Sequence, residues 1–511
     1  MDLLTPSAPV NVADFLLAGG RAEDVVITDR DGNHTYGALR STVVRMCEVL
    51  RREVEAPGSR IGLISGNSFF FVASYLAVMR SGHTVVPFAT VLTTDDVRAK
   101  VRHVGCDTLM LDSASRSRFD AVAREVRTVI TEEWLDGDLA SDPTEPPAGP
   151  PAREAALMFT SGTTGRPRAV RVTHDNIVAN TTSIIEYLEL GRDDRMLVML
   201  PFSYCYGLSL LHTHLRVGGS LYICDTAAFP ETIVSDLQRE GCTGIAGVPS
   251  SYQVLLRASS FATAELPTLK HMQQAGGRLP KALVRELAGA RQSARVFVMY
   301  GQTEATARLS YLPPEHLESR AGSIGRGVPG VALRIADESG RDVDVGSVGE
   351  IRARGASITP GYWDDVEASA AKYDDGELRT GDLARMDEDG FIYIVDRSAD
   401  FIKPWGIRVS SQEVEDAIME LPDIVSAAVV GRPDRDAGEA VVAFCTPRGD
   451  TGVSPQEVLR HCARTLAKHL VPHEVRLIAD MPLNVNGKID KSVLRVRAAT
   501  AESGVEPADT K

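Results

Sequence analysis

Short β-branched runs alternating with longer helical patterns predict an α/β protein: layered, mostly parallel sheets, a small β-barrel-like region and a closing α+β unit. Three observations carry this. From residue 20 to about 300, apolar runs of strand length recur between stretches with helical apolar spacing. Past residue 320, Gly and Asp punctuate short strands in the manner of an antiparallel region. Beyond Arg397 a stretch of about 110 residues, enough for its own core, mixes helices and strands.

Strands are predicted at Val25–Ile27, Ile61–Ile64, Thr84–Pro87 and Thr108–Leu111, with helices Tyr36–Arg52, Phe69–Met79 and Asp95–His103 between them. A Pro/Gly/Asp-rich connector, 136–151, precedes strands at Ala155–Phe159, Met196–Met199, Leu221–Cys224, Gly244–Gly247 and Val296–Tyr300. Helices Pro230–Glu240 and Pro280–Ala290 fall among these. Val331–Ala336, Gly349–Arg354 and Phe391–Val395 are the antiparallel strands. The closing unit reads helix Ser411–Glu420, strands Ile424–Val430 and Ala440–Cys445, helix Pro455–His469 and strand Glu474–Ile478. The expected organisation is one large domain over 1–397, a mobile lid over 398–498 and a disordered polar tail over 499–511.

The chain has 511 residues, 43% apolar and 24% charged, so it can bury large cores. Acidic residues number 69 against 55 basic ones, a net charge of −14 that does not attract nucleic acid or an anionic membrane. An anionic substrate therefore needs a local basic patch. The seven cysteines form no CxxC pair, and the start lacks a basic stretch followed by an apolar one, so a reduced, cytoplasmic protein is expected.

Four segments carry chemistry. Phe159 to Arg168 contains Thr160, Ser161, Gly162, Thr163, Thr164 and Gly165, whose hydroxyls and free backbone N–H groups can wrap a phosphate chain. Arg166, Arg168 and Arg171 supply the missing positive charge, and the spacing is not that of a Walker A loop. The second segment, Tyr300-Gly301-Gln302-Thr303-Glu304, leaves a strand at its C-terminal end. Tyr300 could cover a purine, Thr303 hold a phosphate oxygen and Glu304 bind Mg²⁺. In the third, Asp382 follows a turn glycine, where a carboxylate can accept two hydrogen bonds from a ribose diol, and Arg397 could close on the same sugar or on phosphate. The fourth displays Lys488 after Asn486-Gly487 on a tight turn. Taken singly, each reads equally as a polar turn.

Together, in order and spacing, they resemble the adenylate-forming enzymes: acyl- and aryl-CoA ligases, firefly-type luciferases and peptide-synthetase adenylation domains. Gly349-Glu350, Gly361-Tyr362-Trp363 and the Arg397–Glu415 stretch extend the likeness over nearly the whole chain. The resemblance implies an AMP-forming acyl-CoA synthetase: a carboxylate attacks the α-phosphate of ATP, pyrophosphate leaves, and a thiol takes the acyl group. Two anions must meet, and like charges at 4 Å repel by about 4 kcal/mol at an effective dielectric near 20. The resemblance gives Lys488 the bridging role between them, Thr303 the α-phosphate and Glu304 the Mg²⁺. The loop 160–165 takes the β- and γ-phosphates, Asp382 and Arg397 the ribose, and Ala275-Gly276-Gly277 with Tyr300 the adenine. The acyl pocket is expected beside Tyr204, Tyr206 and Gly207, lined also by Val248, Gly277 and Ile324. No Asp stands in that segment to pair with an α-amine, so a non-amino acid is expected. Lys403, Trp405, Gly406 and Arg408 are expected along the thiol channel, with a hinge at Ala399.

Two departures stand out. Arg168 occupies a position where relatives usually carry Lys, and Pro404-Trp405 places bulk before the channel glycine. The implied cofactors and partners are ATP, Mg²⁺, a small carboxylic acid, and CoA or the phosphopantetheine of an acyl carrier protein; a homodimer is left open. Transfer to a carrier protein, adenylation alone, a luciferase-like oxygenase and a non-catalytic adenylate binder are the rival readings. His212 and His214 share a face only on a strand, and a structural role is favoured over a metal.

Overall fold

A computed structural model describes residues 10–135, 152–160, 168–225, 229–291, 293–397, 401–435, 437–449, 452–484 and 486–500. Two large sheets dominate. In the six-stranded sheet, Thr128–Thr131, Thr108–Leu111, Arg60–Ile64, Thr84–Phe88 and Ala156–Thr160 run parallel, and Arg168–Val172 returns antiparallel to the last of them. The nine-stranded sheet has a parallel centre, in order Arg295–Tyr300, His271–Gln274, Gly244–Gly247, Arg195–Val198, Ser220–Ile223 and Val25–Asp29.

The helices Phe69–Arg80 and Cys205–Val217 belong to one core with strand residues of both sheets, such as Leu63 and Met158 on one side and Val198 and Phe297 on the other. This leaves both buried nearly all round. Ser68 starts the first by accepting the Phe71 N–H, and Arg80 at its end is neutralised by Asp14 at 2.8 Å. Gly207 is required in the second, because a Cβ there would stand 2.2 Å from the Pro201 carbonyl oxygen. The predicted elements and the observed ones agree to within a few residues along this region.

The antiparallel region is a five-stranded sheet built on Val331–Ala336, Gly349–Gly355 and Glu377–Met386, with Ile392–Arg397 and Tyr373–Asp374 pairing along the last of these. The C-terminal unit pairs Ile424–Asp434 antiparallel to Gly438–Pro447, which lies parallel to Glu474–Leu477. Helices Ser411–Ile418, Pro455–Thr465 and Lys491–Thr500 pack on it. No helix among the described residues is long and apolar enough to cross a membrane.

His212 and His214 lie on the buried helix, so the strand geometry that would have let them share a ligand is absent. His212 Nε2 meets the Tyr75 hydroxyl at 3.0 Å, and His214 Nδ1 meets the Leu210 carbonyl at 2.9 Å. Burial pushes His212 from 6.5 down to about 3, and His174 down to about 4. Both are neutral in the folded chain and must charge when it unfolds in acid. Their contribution is therefore complete above pH 6.5 and is lost as pH falls from there to about 4 for His174 and to about 3 for His212. The melting temperature should fall across that window, and His212→Gln should flatten the fall; an unchanged slope in the variant would remove His212 from this account.

Candidate active site

The strand Arg295–Tyr300 ends where the large sheet meets the antiparallel one, and the motif following it is held by contacts from both. Gly301 is obligatory: a Cβ would meet the Ala307 carbonyl oxygen at 1.9 Å. Tyr300 donates its hydroxyl to Asp382 Oδ2 at 2.6 Å, joining the two residues expected around adenine and ribose. Asp382 is also paired in register with Arg397 across the two antiparallel strands. Thr303 opens a short turn whose Gln302 carbonyl accepts from the Ala305 N–H, and its hydroxyl points to Cys205 Sγ at 3.5 Å. Burial raises the Cys205 thiol, opposed by the nearby Thr303, Lys488 and Arg308.

Glu304 is 9% exposed and accepts from the Tyr362 hydroxyl at 2.7 Å. Its carbonyl accepts from both the N–H and the hydroxyl of Thr359 at 3.0 Å. Burial and the adjacent carboxylate raise the Tyr362 phenol, so it stays protonated as the donor. Arg168 lies with its guanidinium carbon 5.6 Å from the Tyr362 ring centre and its Nε 3.8 Å from Asp365. Thr160 pairs with Arg168 across two antiparallel strands; Ser161, Gly162, Thr163, Thr164, Gly165 and Arg166 lie outside the described residues.

Ala275, Gly276 and Gly277 follow the strand His271–Gln274. The Ala275 N–H donates to the Gly247 carbonyl at 3.3 Å, and the Gly277 carbonyl accepts from Gln274 at 2.8 Å. Gly276 has φ +88, and around it converge Val248, Tyr204 and Lys488: a Cβ there would stand 2.9 Å from Val248 Cγ1, 3.2 Å from the Tyr204 hydroxyl and 3.3 Å from Lys488 Cε. Lys488 Nζ lies 5.6 Å from the Tyr204 ring centre. A residue of the C-terminal unit thus reaches the sheet ends of the large domain.

Three contacts seat that unit. Ser250 Oγ donates to the Gly487 carbonyl at 2.7 Å. Arg257 donates to the carbonyls of Pro422 and Ile424 at 2.8 and 3.2 Å. Arg278 pairs with Asp416 at 2.5 Å; burial raises the Asp416 carboxyl, and Arg278 opposes the rise. None of these arginines stood out in the sequence, because each is an ordinary helix- or loop-borne cation until the two units meet.

Other expected residues are placed elsewhere. Ile324 packs with Ile335, Ile351 and Ile392 in a core that Tyr300 covers. Bulky branched neighbours on the antiparallel sheet complete that core, so Ile324 supports Tyr300 from behind. Trp405 is 66% exposed, with φ 54, on the turn Pro404–Gly406, and its N–H donates to the Ala437 carbonyl at 2.7 Å. Lys403 donates its N–H to Glu439 at 2.6 Å, and Arg408 lies 5.8 Å from the Phe401 ring centre. With Lys488 seated, nothing described brings these turn residues to Thr303 or Gly276. Ala399, expected to be the hinge, lies outside the described residues.

The arrangement gathers a lysine, a hydroxyl, a carboxylate and a Tyr–Asp pair at the C-terminal ends of parallel strands, where nucleotides bind in such sheets. Comparison with known families decides its identity. A family model described as AMP-binding enzyme matches residues 17–363, and its C-terminal domain model matches 413–488. The chain belongs to the AMP-binding enzymes.

Among relatives of this AMP-binding enzyme, an indoleacetate–CoA ligase of Aromatoleum aromaticum is 27% identical over 90% of this chain and 92% of its own length. A feruloyl-CoA synthase of an Amycolatopsis species is 29% identical over 91% and 94%. The solved structure of ATP-bound MatB from Rhodopseudomonas palustris superposes with a TM-score of 0.85 at 27% identity, covering 95% of this chain and 98% of that one.

Proposed function

We infer that this AMP-binding enzyme is an ATP-dependent carboxylic acid–CoA ligase, forming an acyl-adenylate with release of pyrophosphate and passing the acyl group to CoA. The observation that carries the reading is Lys488 seated beside Gly276 and Tyr204, where one ammonium can lie between an incoming carboxylate and an α-phosphate. Preorganised charge at that point acts without reorganisation cost during the attack. Thr303 offers a hydroxyl to the same phosphate. Asp382, oriented by Tyr300, accepts from the ribose diol, and the Tyr300 ring covers the base. Glu304, held by Tyr362, would hold a magnesium ion through a hard carboxylate oxygen. When bound, that ion offsets phosphate charge.

The lid spans 398–498 in this proposal, turning about Ala399, so that the turn with Gly406 replaces Lys488 for thiolation. A cytoplasmic location fits a CoA-using enzyme, and a carrier protein is the alternative thiol donor. Pyrophosphate–ATP exchange dependent on a carboxylic acid, followed by CoA thioester formation, tests the reading; exchange without thioester would favour the carrier protein or adenylation alone. Trp405 bears on that choice. Its ring is the largest available beside a glycine that lets an extended pantetheine arm pass. Trp405→Ala should speed CoA thioester formation from preformed acyl-adenylate severalfold. A slower variant with a raised CoA KM would instead make the ring a CoA contact.

A further inference from the structure

Arg308 is the largest fully buried side chain, 2% exposed. Its guanidinium carbon lies 4.1 Å from the Tyr206 ring centre. The neutral Tyr187 hydroxyl lies beside the guanidinium, but its Nε and Nη2 are shut off from solvent with no hydrogen-bond acceptor, and no carboxylate among the described residues pairs with it. Beside Tyr206 stands a second unexplained group. The Tyr206 hydroxyl donates to the Gln273 carbonyl at 2.8 Å, and the Gln273 side chain, 1% exposed, leaves both its amide oxygen and its amide nitrogen unpartnered. Native interiors satisfy nearly all such groups, so two of them on residues that touch one tyrosine call for a missing partner.

Their position says what the partner is. Tyr206 is the neighbour but one of Tyr204, and the two rings meet edge-on at 6.3 Å. Tyr204 carries Lys488 at its other side, 5.6 Å from the ring centre. Cys205 between the two tyrosines is within electrostatic reach of both Lys488 and Arg308. The acyl wall therefore has a cation at each end: Lys488 where the reacting carboxylate is activated, and Arg308 where the far end of the acyl group arrives. Resting on the ligase reading above, we propose that the acid activated here carries a second anionic group, in the simplest case a short dicarboxylic acid whose far carboxylate pairs with Arg308 and accepts from Gln273 Nε2. An apolar acyl tail would leave a desolvated guanidinium uncompensated. A carboxylate matches its forked donors, and a pocket built for such a group strongly rejects the analogue that lacks it.

The experiment is acid-dependent pyrophosphate–ATP exchange with the full-length enzyme. The acids are straight-chain diacids from three to eight carbons, the monomethyl ester of each, and fatty and aromatic monoacids. The expected result is a kcat/KM for the best diacid at least 100-fold above that of its own half-ester. Arg308→Met, close in volume, should raise the diacid KM by a similar factor with a smaller change in kcat, and should gain activity on the half-ester. Arg308→Lys should recover part of the preference, and Gln273→Leu should weaken it less than Arg308→Met; these two variants decide the matter if Arg308→Met does not fold. Preference of the wild type for a monoacid or half-ester, or a diacid preference that survives at both positions, overturns the inference while exchange itself upholds the ligase. Exchange with none of the acids overturns the ligase reading, and this inference with it.

Discussion

Lys488→Ala should lose acid-dependent pyrophosphate exchange by a factor on the order of 10² to 10³, the usual loss when one preorganised charge is removed from a reacting centre. The side chain reaches Gly276 and Tyr204 from a turn whose own geometry is independent of the ammonium: the Lys488 N–H donates to Asn484 Oδ1 at 3.1 Å, and its carbonyl accepts from the Asn484 N–H at 2.7 Å. The truncated turn should therefore still dock, with Ser250 holding the Gly487 carbonyl. Thiolation of a supplied acyl-adenylate no longer brings two anions together, and its rate should stay within a few-fold of the wild type. Equal loss of both half-reactions would remove Lys488 from the bridging role.

How much of this site was legible in the sequence depends on the distance each interaction spans. Lys488 stood out only through the order of the motifs, since an Asn-Gly turn by itself displays any ammonium. Tyr300 and Asp382 were each legible as motif residues, but the hydrogen bond that joins them links positions 82 residues apart. The Tyr362 hydroxyl on Glu304 spans 58 residues. Tyr362 was visible as part of a motif without its partner. The seating cations Arg257 and Arg278 carry no local signature at all, since the acceptors that seat the unit are carbonyls and a carboxylate far along the chain, and Arg257 is steadied by Glu286 of its own domain. The sheets themselves were legible wherever strands are buried on both faces, as at Gly244–Gly247. His271–Gln274 was missed: His-Met-Gln-Gln is neither β-branched nor alternating, and it becomes a strand through its parallel neighbours on either side. Arg308 carries no local signature in the sequence, and only the fold shows it buried.

Gly276→Val tests the same convergence from the other side of the cleft. The position has φ +88, which an L side chain adopts at a cost of about 1–3 kcal/mol. A Cβ would also press on Val248 Cγ1 at 2.9 Å and on Lys488 Cε at 3.3 Å, and the branched methyls of valine extend further. Overpacking of this kind costs about 1–3 kcal/mol more. Of the two contacts, Val248 is fixed at the head of the helix Pro249–Ala258, whereas Lys488 belongs to a turn that can lift away. Relief should therefore come by unseating the lid, which displaces the ammonium from the carboxylate. At 1.4 kcal/mol per factor of ten, the overpacking that unseating relieves should lower adenylation by roughly 5- to 140-fold. Thiolation of a supplied adenylate, which does not use the seated Lys488, should fall far less. Gly276→Ala, without the branched methyls, should be intermediate. Full exchange activity in Gly276→Val, with an unchanged ATP KM, would mean that adenylation does not require the lid in the position seen here.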